Sequence, residues 1–136
     1  MLDEKRTGGY MADEAKIYVC TKCGNMMAML EDHGCVPFCC GTPAQLLKAN
    51  TTDAATEKHI PVVTEENGTV TVRVGSAPHP MTEEHSIRWI LLITEKGRQR
   101  KTLAPGDKPE AVFRITGDDR CLSAEAYCNL HGLWKA

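Results

Sequence analysis

The chain has 136 residues, of which 42% are hydrophobic and 25% are charged, and its formal net charge is −2. This balance is typical of a globular protein, and the small net charge argues against nonspecific binding to nucleic acid or to an anionic membrane. The first twenty residues contain no apolar signal-peptide core, and the longest apolar run, residues 89–93, is too short to cross a bilayer. We therefore expect a cytoplasmic protein with no nucleic-acid or membrane partner.

Seven cysteines are many for a cytoplasmic chain, and because the number is odd we do not expect a complete disulfide framework. Clustered cysteines in a reducing compartment more often bind metal. Two cysteine pairs separated by fifteen residues, Cys20 with Cys23 and Cys39 with Cys40, predict a tetrahedral four-thiolate site that either zinc or iron would suit. The alternative is a set of reduced structural thiols. Since the side chains of adjacent residues normally diverge, the second pair should distort the tetrahedron.

The chain is predicted to contain three segments. Residues 1–14 are polar and indicate a flexible N-terminal tail. Residues 15–49 hold the paired cysteines and predict a small metal-binding domain, in which Ile17–Val19 forms a strand. Residues 50–136 predict the main domain, and a polar linker over residues 48–56 leads into it.

The main domain shows the period-two alternation of half-buried strands. Thr69–Val74 is the clearest strand, and a hairpin turn is predicted before it at residues 66–68. Further strands are predicted over residues 62–63, 86–93, 99–103 and 111–115. The only helical candidate is 123–127, with Ser123 as a possible N-cap. Short strands with punctuating turns indicate an antiparallel sandwich or barrel.

A second group of metal ligands is predicted from the last turn of the chain. Cys128 and His131 stand three residues apart, so a thiolate and an imidazole can reach one metal ion. His59, His79 and His85 each lie beside a proline or near a strand start, outside any helical pattern. Loops of a sheet can bring such residues together while the sheet holds them rigidly. Our hypothesis is that these five side chains bind one iron ion.

The chemistry of this donor set favours iron. Four imidazoles and one thiolate are too many ligands for tetrahedral zinc, but they leave an octahedral metal one open position. Such a site suits redox-active iron, and a thiolate opposite the open position pushes electron density toward a bound oxygen species. Lys58, next to His59, would attract a small anion to the open position and help to donate hydrogen bonds to it. The alternative for Lys58 is an ordinary surface lysine.

Residues 18–135 resemble the desulfoferrodoxins, which are two-iron superoxide reductases. Residues 18–47, with the four paired cysteines, are similar to desulforedoxin. The remaining resemblance is carried by three motifs in order, Glu-Lys-His-Ile-Pro at 57–61, Gly-Ser-Ala-Pro-His-Pro-Met at 75–81 and Cys-Asn-Leu-His-Gly at 128–132. Cys35, Cys121 and the N-terminal tail fall outside the family pattern.

The resemblance implies a mainly β protein, in which a small rubredoxin-type metal knuckle precedes an immunoglobulin-like antiparallel β-sandwich. It also implies two iron ions per chain. The first, at centre I, would be bound in a distorted tetrahedron by Cys20, Cys23, Cys39 and Cys40. The second, at centre II, would have Cys128 as its axial ligand and four equatorial imidazoles, from His59, His79, His85 and His131.

The activity implied by the resemblance is the one-electron reduction of superoxide to hydrogen peroxide at ferrous centre II, which has an open sixth position. Lys58 would attract superoxide and assist protonation, while Glu57 would occupy the sixth position in the ferric resting state. The resemblance further implies a rubredoxin-like electron donor and a homodimer.

Other function classes use parts of the same pattern. A non-enzymatic iron electron-transfer protein would need both metals but no accessible sixth position, which leaves Glu57 and Lys58 without a purpose. A zinc-ribbon interaction module joined to a β-sandwich explains the N-terminal cysteines but not the histidines. Superoxide dismutation would require the iron to oxidise superoxide as well, which a thiolate-ligated iron dependent on external electrons does not favour.

Overall fold

The computed structural model describes residues 16–136, so the tail predicted for residues 1–14 lies outside the described residues. The chain divides into two compact units, Met1–Lys48 and Ala49–Ala136. In the described part nearly all regular structure is antiparallel β, which confirms the prediction of a mainly β fold. No helix among residues 16–136 is long and apolar enough to cross a membrane.

The described part of the first unit, residues 16–48, contains two small sheets. Its five strands are β1 (Ile17–Val19), β2 (Met26–Ala28), β3 (Phe38–Cys39), β4 (Thr42–Pro43) and β5 (Gln45–Leu46). Three of them form a sheet in the order β2-β1-β5, and β3 pairs with β4 as a separate hairpin. The predicted first strand is confirmed. Its Ile17 and Tyr18 are buried together with Cys20 and Ala44, which is a very small apolar core. Units of this size usually need a metal or a cross-link to be stable.

The second unit begins with one short helix and continues as seven strands. The elements are α1 (Thr56–His59), β6 (Pro61–Glu66), β7 (Thr69–Val74), β8 (Ile87–Thr94), β9 (Arg98–Thr102), β10 (Glu110–Arg114), β11 (Cys121–Cys128) and β12 (Gly132–Lys135). They form one three-stranded sheet, β10-β7-β6, and one four-stranded sheet, β12-β11-β8-β9. The strands predicted at 62–63, 69–74, 86–93, 99–103 and 111–115 are confirmed. So is the turn at 66–68, where Asn67 and Gly68 both have positive φ, as a type I′ turn requires.

The core of the second unit lies between its two sheets. Val72 and Phe113 come from one sheet, and Leu92 and Ala126 come from the other. Successive side chains of a strand point to opposite faces, so Ala124, Ala126 and Cys128 of β11 all face the core. The alternation therefore places the Cys128 thiol at the end of the inward row, where the residue is fully buried.

The helix predicted for residues 123–127 is wrong, because this segment is the middle of β11. Ala and Glu favour helix locally, but pairing on both sides decides the conformation. Ala126 is paired with Ile90 of β8 on one side and with Trp134 of β12 on the other. The burial of Ala124 and Ala126 between the sheets adds to the stability of the strand.

The helix α1 was not predicted, and it contains a histidine that was expected outside helical structure. It is a single turn closed by the Ile60 N–H, which donates to the Thr56 carbonyl at 3.0 Å. His59 is its last residue. Pro61 follows, and because the residue before a proline disfavours the α conformation, the helix ends at once. The turn therefore presents Glu57, Lys58 and His59 in one compact segment.

Gly75, just after β7, packs against the backbone of α1. Its N–H donates to the Ile60 carbonyl at 3.2 Å, and the neighbouring Ala77 N–H donates to the Glu57 carbonyl at 2.8 Å. A Cβ at position 75 would lie 2.7 Å from the Glu57 carbonyl oxygen and 2.7 Å from the Lys58 carbonyl carbon. Gly75 also has a φ of +86°. Only glycine allows this close approach of the loop to the turn that carries His59.

We expect Gly75→Ala to lower the free energy of unfolding by about 1–3 kcal/mol more than Gly106→Ala does, because the new methyl group overlaps the backbone of α1 and the Ala77 carbonyl oxygen. Gly106 is a matched control: it has a φ of +91°, but a Cβ there meets no atom within 4 Å. Chemical denaturation of both variants measures the difference. Equal losses would show that these backbone contacts of Gly75 do not limit stability.

Candidate metal centres

The four paired cysteines of the first unit form a compact group. One sulfur from each residue lies within 4.8 Å of the others, in the set Cys20, Cys23, Cys39 and Cys40. The Sγ atoms of Cys23 and Cys39 are 3.6 Å apart, and those of Cys39 and Cys40 are 4.0 Å apart. The edge of a tetrahedron with a metal–sulfur distance of about 2.3 Å is about 3.8 Å. The sulfur spacing therefore fits one tetrahedral metal ion.

The backbone explains how two adjacent cysteines can serve one site. Cys40 has a φ of 55° and Gly41 a φ of 77°, both in the left-handed region. This conformation is uncommon for a residue with a side chain. At Cys40 it turns the chain so that the Cys39 and Cys40 side chains do not diverge as they would in an extended segment. The left-handed backbone at Cys40 therefore allows both thiols of the adjacent pair to face one site.

The thiols of this group differ in pKa when no cation is bound. Backbone N–H groups of Cys23 and Lys22 donate to the Cys20 sulfur and lower the pKa of this thiol to about 6. Hydrogen bonds with the neighbouring thiols of Cys23 and Cys20 raise the pKa of Cys40 to about 12. The Cys20 thiolate therefore suppresses the ionisation of Cys39 and Cys40, whose pKa values are both raised. A bound cation would remove this conflict, because it stabilises all four sulfurs in the thiolate form.

The four histidines of the second unit form a closed square of rings. Neighbouring ring centroids are 4.7 to 5.1 Å apart and neighbouring planes are 78° to 85° apart, in the order His59, His79, His85, His131 and back to His59. Across the square, the ring centroids of His59 and His85 are 6.5 Å apart. Each imidazole thus stands nearly edge-on to the next. The structure therefore brings together all four histidines that the sequence predicted as ligands.

Two ring nitrogens of this square face each other, and each carries a lone pair when its ring is neutral. His59 Nδ1 is 2.7 Å from the Ala55 carbonyl oxygen, and His79 Nδ1 is 2.7 Å from the Pro80 carbonyl oxygen. Because each Nδ1 carries the donated hydrogen, each neutral ring has a lone pair on Nε2. The two Nε2 atoms are only 3.2 Å apart. Two lone pairs repel at this distance, whereas a cation between them would accept both.

The remaining ligand atoms point to the same centre. His131 Nδ1 lies 3.1 Å from His59 Nε2 and 3.8 Å from the Cys128 sulfur. His85 Nε2 is buried and has no hydrogen-bond partner. Ligand atoms of His59, His79, His85 and Cys128 lie within 4.8 Å of one another. A buried imidazole nitrogen without a partner is costly unless a metal ion binds it, so this donor set fits a metal.

The electrostatics of the square favour the neutral form of His79 and His85, which is the form that binds metal. Burial and the charges of the neighbouring histidines lower the pKa of His79 to about 4, against the opposing effect of its hydrogen bond to Pro80. Burial also lowers the pKa of His85. The pKa is lowered further by the charges of three neighbours, His131, His59 and Lys58. Lys58 therefore contributes positive potential at the site. Both Lys58 and Glu57 are exposed to solvent on α1.

Trp134 is a contact of the site that the sequence analysis missed. Its indole ring lies 4.9 Å from the His59 ring, tilted by 31°. Its Nε1–H donates to the His131 carbonyl oxygen at 3.1 Å. Trp134 is buried, so one side chain supports two of the imidazoles. A tryptophan near the end of the chain is an ordinary core residue by sequence, and only the pairing of β11 with β12 shows its contact with the histidines.

The two remaining cysteines and the fifth histidine lie outside both groups. Cys35 is an exposed free thiol, Cys121 is a half-buried free thiol, and neither belongs to a ligand group. Burial, with the nearby charges of Glu65 and Asp119, raises the pKa of Cys121 and keeps it protonated. His33 is exposed and lies 3.2 Å from the Glu31 carboxylate.

The chain is similar to known proteins over most of its length. The family model for desulfoferrodoxin matches residues 51–136. A desulfoferrodoxin from Syntrophotalea carbinolica is 48% identical over 127 residues, which cover 93% of this chain and 98% of that protein. The crystal structure of the superoxide reductase from Treponema pallidum matches with a TM-score of 0.78 and 40% identity, over 90% of this chain and 98% of that one.

A shorter structure matches part of the chain. The superoxide reductase (1Fe-SOR) from Giardia intestinalis is 35% identical and aligns with a TM-score of 0.51. It covers 59% of this chain, while 95% of its own length is aligned. A protein of this kind therefore exists in a form much shorter than the present chain.

We expect Trp134→Phe to weaken the second centre, because it removes the N–H that binds the His131 carbonyl while keeping an aromatic ring beside His59. Leaving the partly buried His131 carbonyl without its partner costs up to about 3 kcal/mol in the free energy of unfolding. Trp89→Phe is the control, since Trp89 stacks on Tyr127 at 5.6 Å instead of on a histidine. Chemical denaturation and metal analysis are carried out on both variants. Equal metal retention would contradict a supporting role for Trp134.

Proposed function

Because this chain belongs to the desulfoferrodoxin family, we propose that it is a superoxide reductase that reduces superoxide by one electron to hydrogen peroxide. The five-ligand group of the second unit is its active site. One superoxide anion, one electron and two protons give one hydrogen peroxide, so the reaction needs an electron donor and a proton source. The names of the relatives and of the similar structures support this assignment.

The observation that carries the proposal is the donor set itself. Four imidazoles in a closed square and a buried thiol converge on one point, in the set His59, His79, His85, His131 and Cys128. This set exceeds the four ligands of a tetrahedral zinc site and suits iron with one position left for a small ligand. Iron bound there would supply the electron for the reduction of superoxide.

The residues of α1 would handle the substrate. Lys58 is exposed, and its positive charge acts on His85, so it would attract the superoxide anion toward the square of imidazoles. Its ammonium group would also donate a hydrogen bond to the substrate and assist proton delivery. Glu57 would occupy the open position in the oxidised resting enzyme. The Glu57 backbone is held in place because its carbonyl accepts hydrogen bonds from the Ala77 N–H and the Ser76 hydroxyl.

We assign the first unit as a desulforedoxin-like domain over residues 15–49 and the catalytic domain to residues 50–136. Two compact units and the spacing of four sulfurs support this division. The first unit would bind a second iron ion through Cys20, Cys23, Cys39 and Cys40, for electron transfer or for stability. A rubredoxin-like protein would supply electrons, and the enzyme would act as a cytoplasmic homodimer.

The test is an iron count, a visible spectrum and a superoxide assay on the same preparation. We expect two irons per chain, thiolate charge-transfer absorption, and superoxide consumption that depends on added reductant and yields hydrogen peroxide without oxygen. Oxygen release would indicate dismutation instead. A protein that contains both irons but does not consume superoxide would support electron transfer, and a colourless zinc protein would support a structural module.

We expect Lys58→Ala to slow the reaction with superoxide by about tenfold or more and to flatten its dependence on ionic strength, because electrostatic steering of the anion is lost. Lys108→Ala, at an exposed lysine outside α1, is the control. Rapid mixing with superoxide over a series of salt concentrations measures both variants. An unchanged rate and salt dependence in Lys58→Ala would remove this residue from the steering role.

A further inference from the structure

His85 differs from His59 and His79 in what holds it. His59 and His79 are each 3% exposed and each donate Nδ1–H to a backbone carbonyl. His85 is half-buried, and in residues 16–136 its ring makes no hydrogen bond to another protein group. A metal-binding imidazole normally gains its orientation from such a bond. The placement of His85 must therefore come from its backbone.

The backbone of His85 is held on one side by a local turn. Thr82 N–H donates to the His85 carbonyl at 2.9 Å, and the Thr82 hydroxyl lies 3.2 Å from the same oxygen. The His85 N–H in turn donates to the Thr82 hydroxyl oxygen at 3.0 Å. These contacts shape the loop before β8. They span only three residues, so they cannot fix the loop relative to the other ligands.

Asn129 supplies the long-range connection. Its Nδ2–H donates to the Glu84 carbonyl at 2.9 Å, and its Oδ1 accepts the Ser86 N–H at 2.9 Å. Its own N–H donates to the Ser86 carbonyl at 3.2 Å. The Asn129 side chain is therefore hydrogen-bonded to the backbone on both sides of His85 at once. Asn129 directly follows Cys128 in the turn that leads to His131. These hydrogen bonds therefore connect the backbone at His85 to the segment that carries Cys128 and His131.

The chemistry of the position requires an amide side chain. Asparagine can donate and accept at the same time, and both functions are used here. The backbone gives no other reason for asparagine: Asn50 and Asn67 have positive φ, whereas Asn129 does not. Aspartate has the same shape but cannot donate, and its charge would face the Glu84 carbonyl oxygen.

We propose that Asn129 is a positioning residue of the active site, which acts with Thr82 to hold His85 against Cys128 and His131 by clamping the backbone on either side of it. The inference rests on the proposed function only in taking these side chains as iron ligands. Asn129 does not reach the substrate in this role. Its effect is on how firmly the site retains iron and on the ligand field that the iron experiences.

The test is iron retention by Asn129→Asp. Purified iron-loaded protein is exposed to a graded excess of chelator, and iron content and visible absorption are followed. Loss of an outer partner of a ligand typically weakens metal affinity about 10–100-fold, so we expect the second centre to release iron at a correspondingly lower chelator concentration. The four-cysteine centre of the same molecule is an internal reference and should release its iron as in the wild type.

Asn50→Asp is the matched control. The Asn50 side chain also donates Nδ2–H to a backbone carbonyl and accepts a backbone N–H, both from Lys135, at 3.1 and 2.9 Å. The control therefore loses the same kind of hydrogen bond, in the same unit, without a contact to the residues beside His85. We expect wild-type iron retention in Asn50→Asp. Equal weakening in both variants would overturn the proposal, as would wild-type retention in Asn129→Asp.

Thr82→Val keeps the proposal testable if Asn129→Asp does not fold. It removes only the hydroxyl contacts to His85 and should also weaken the second centre selectively, with a shift of its charge-transfer band. Unchanged retention and absorption in Thr82→Val would overturn the clamp. Wild-type protein that holds both irons but consumes no superoxide would instead refute the proposed function, and the retention comparison would still decide the role of Asn129.

Discussion

The repulsion between converging lone pairs is the constraint on which the second unit depends. His59 and His79 direct unprotonated nitrogens at each other across 3.2 Å, and the buried Nε2 of His85 points to the same place. Such an arrangement is unfavourable in a protein interior unless a cation satisfies it. The fold must therefore hold the donors in place before the metal binds. Metal binding then removes the repulsion between the lone pairs and so stabilises the folded protein.

The β-sandwich provides the necessary rigidity by drawing the ligands from separate elements. His59 ends α1, His85 precedes β8, and Cys128 ends β11. Small residues and polar side chains join these elements, as Gly75 does at α1 and Asn129 does beside His85. Ligands anchored on packed strands are placed more accurately than ligands on a free loop. Cys128 is also the last inward-facing residue of β11, so core packing and metal binding both favour the same position of its thiol.

The first unit follows a different principle. Its ligands come from two short segments, a turn after β1 and the end of β3 with the turn that follows, and its apolar core is too small to hold them firmly. Backbone N–H groups lower the pKa of Cys20, while the crowded sulfurs raise the pKa of Cys40. Metal binding and folding are therefore closely coupled in this unit, whereas in the second unit a full hydrophobic core supports the site independently.

Sequence alone determined the features that depend on local pattern. Period-two alternation located Thr69–Val74 and most other strands, and cysteine spacing identified the four-thiolate group. The three histidine motifs, read through the family resemblance, identified the remaining ligands. Only the tertiary structure decided the conformation of residues 123–127, where pairing with β8 and β12 outweighs helical preference. It alone revealed the contacts of Trp134 and Asn129 with the ligand segments, because such contacts join residues far apart in the chain and leave no periodic trace in the sequence.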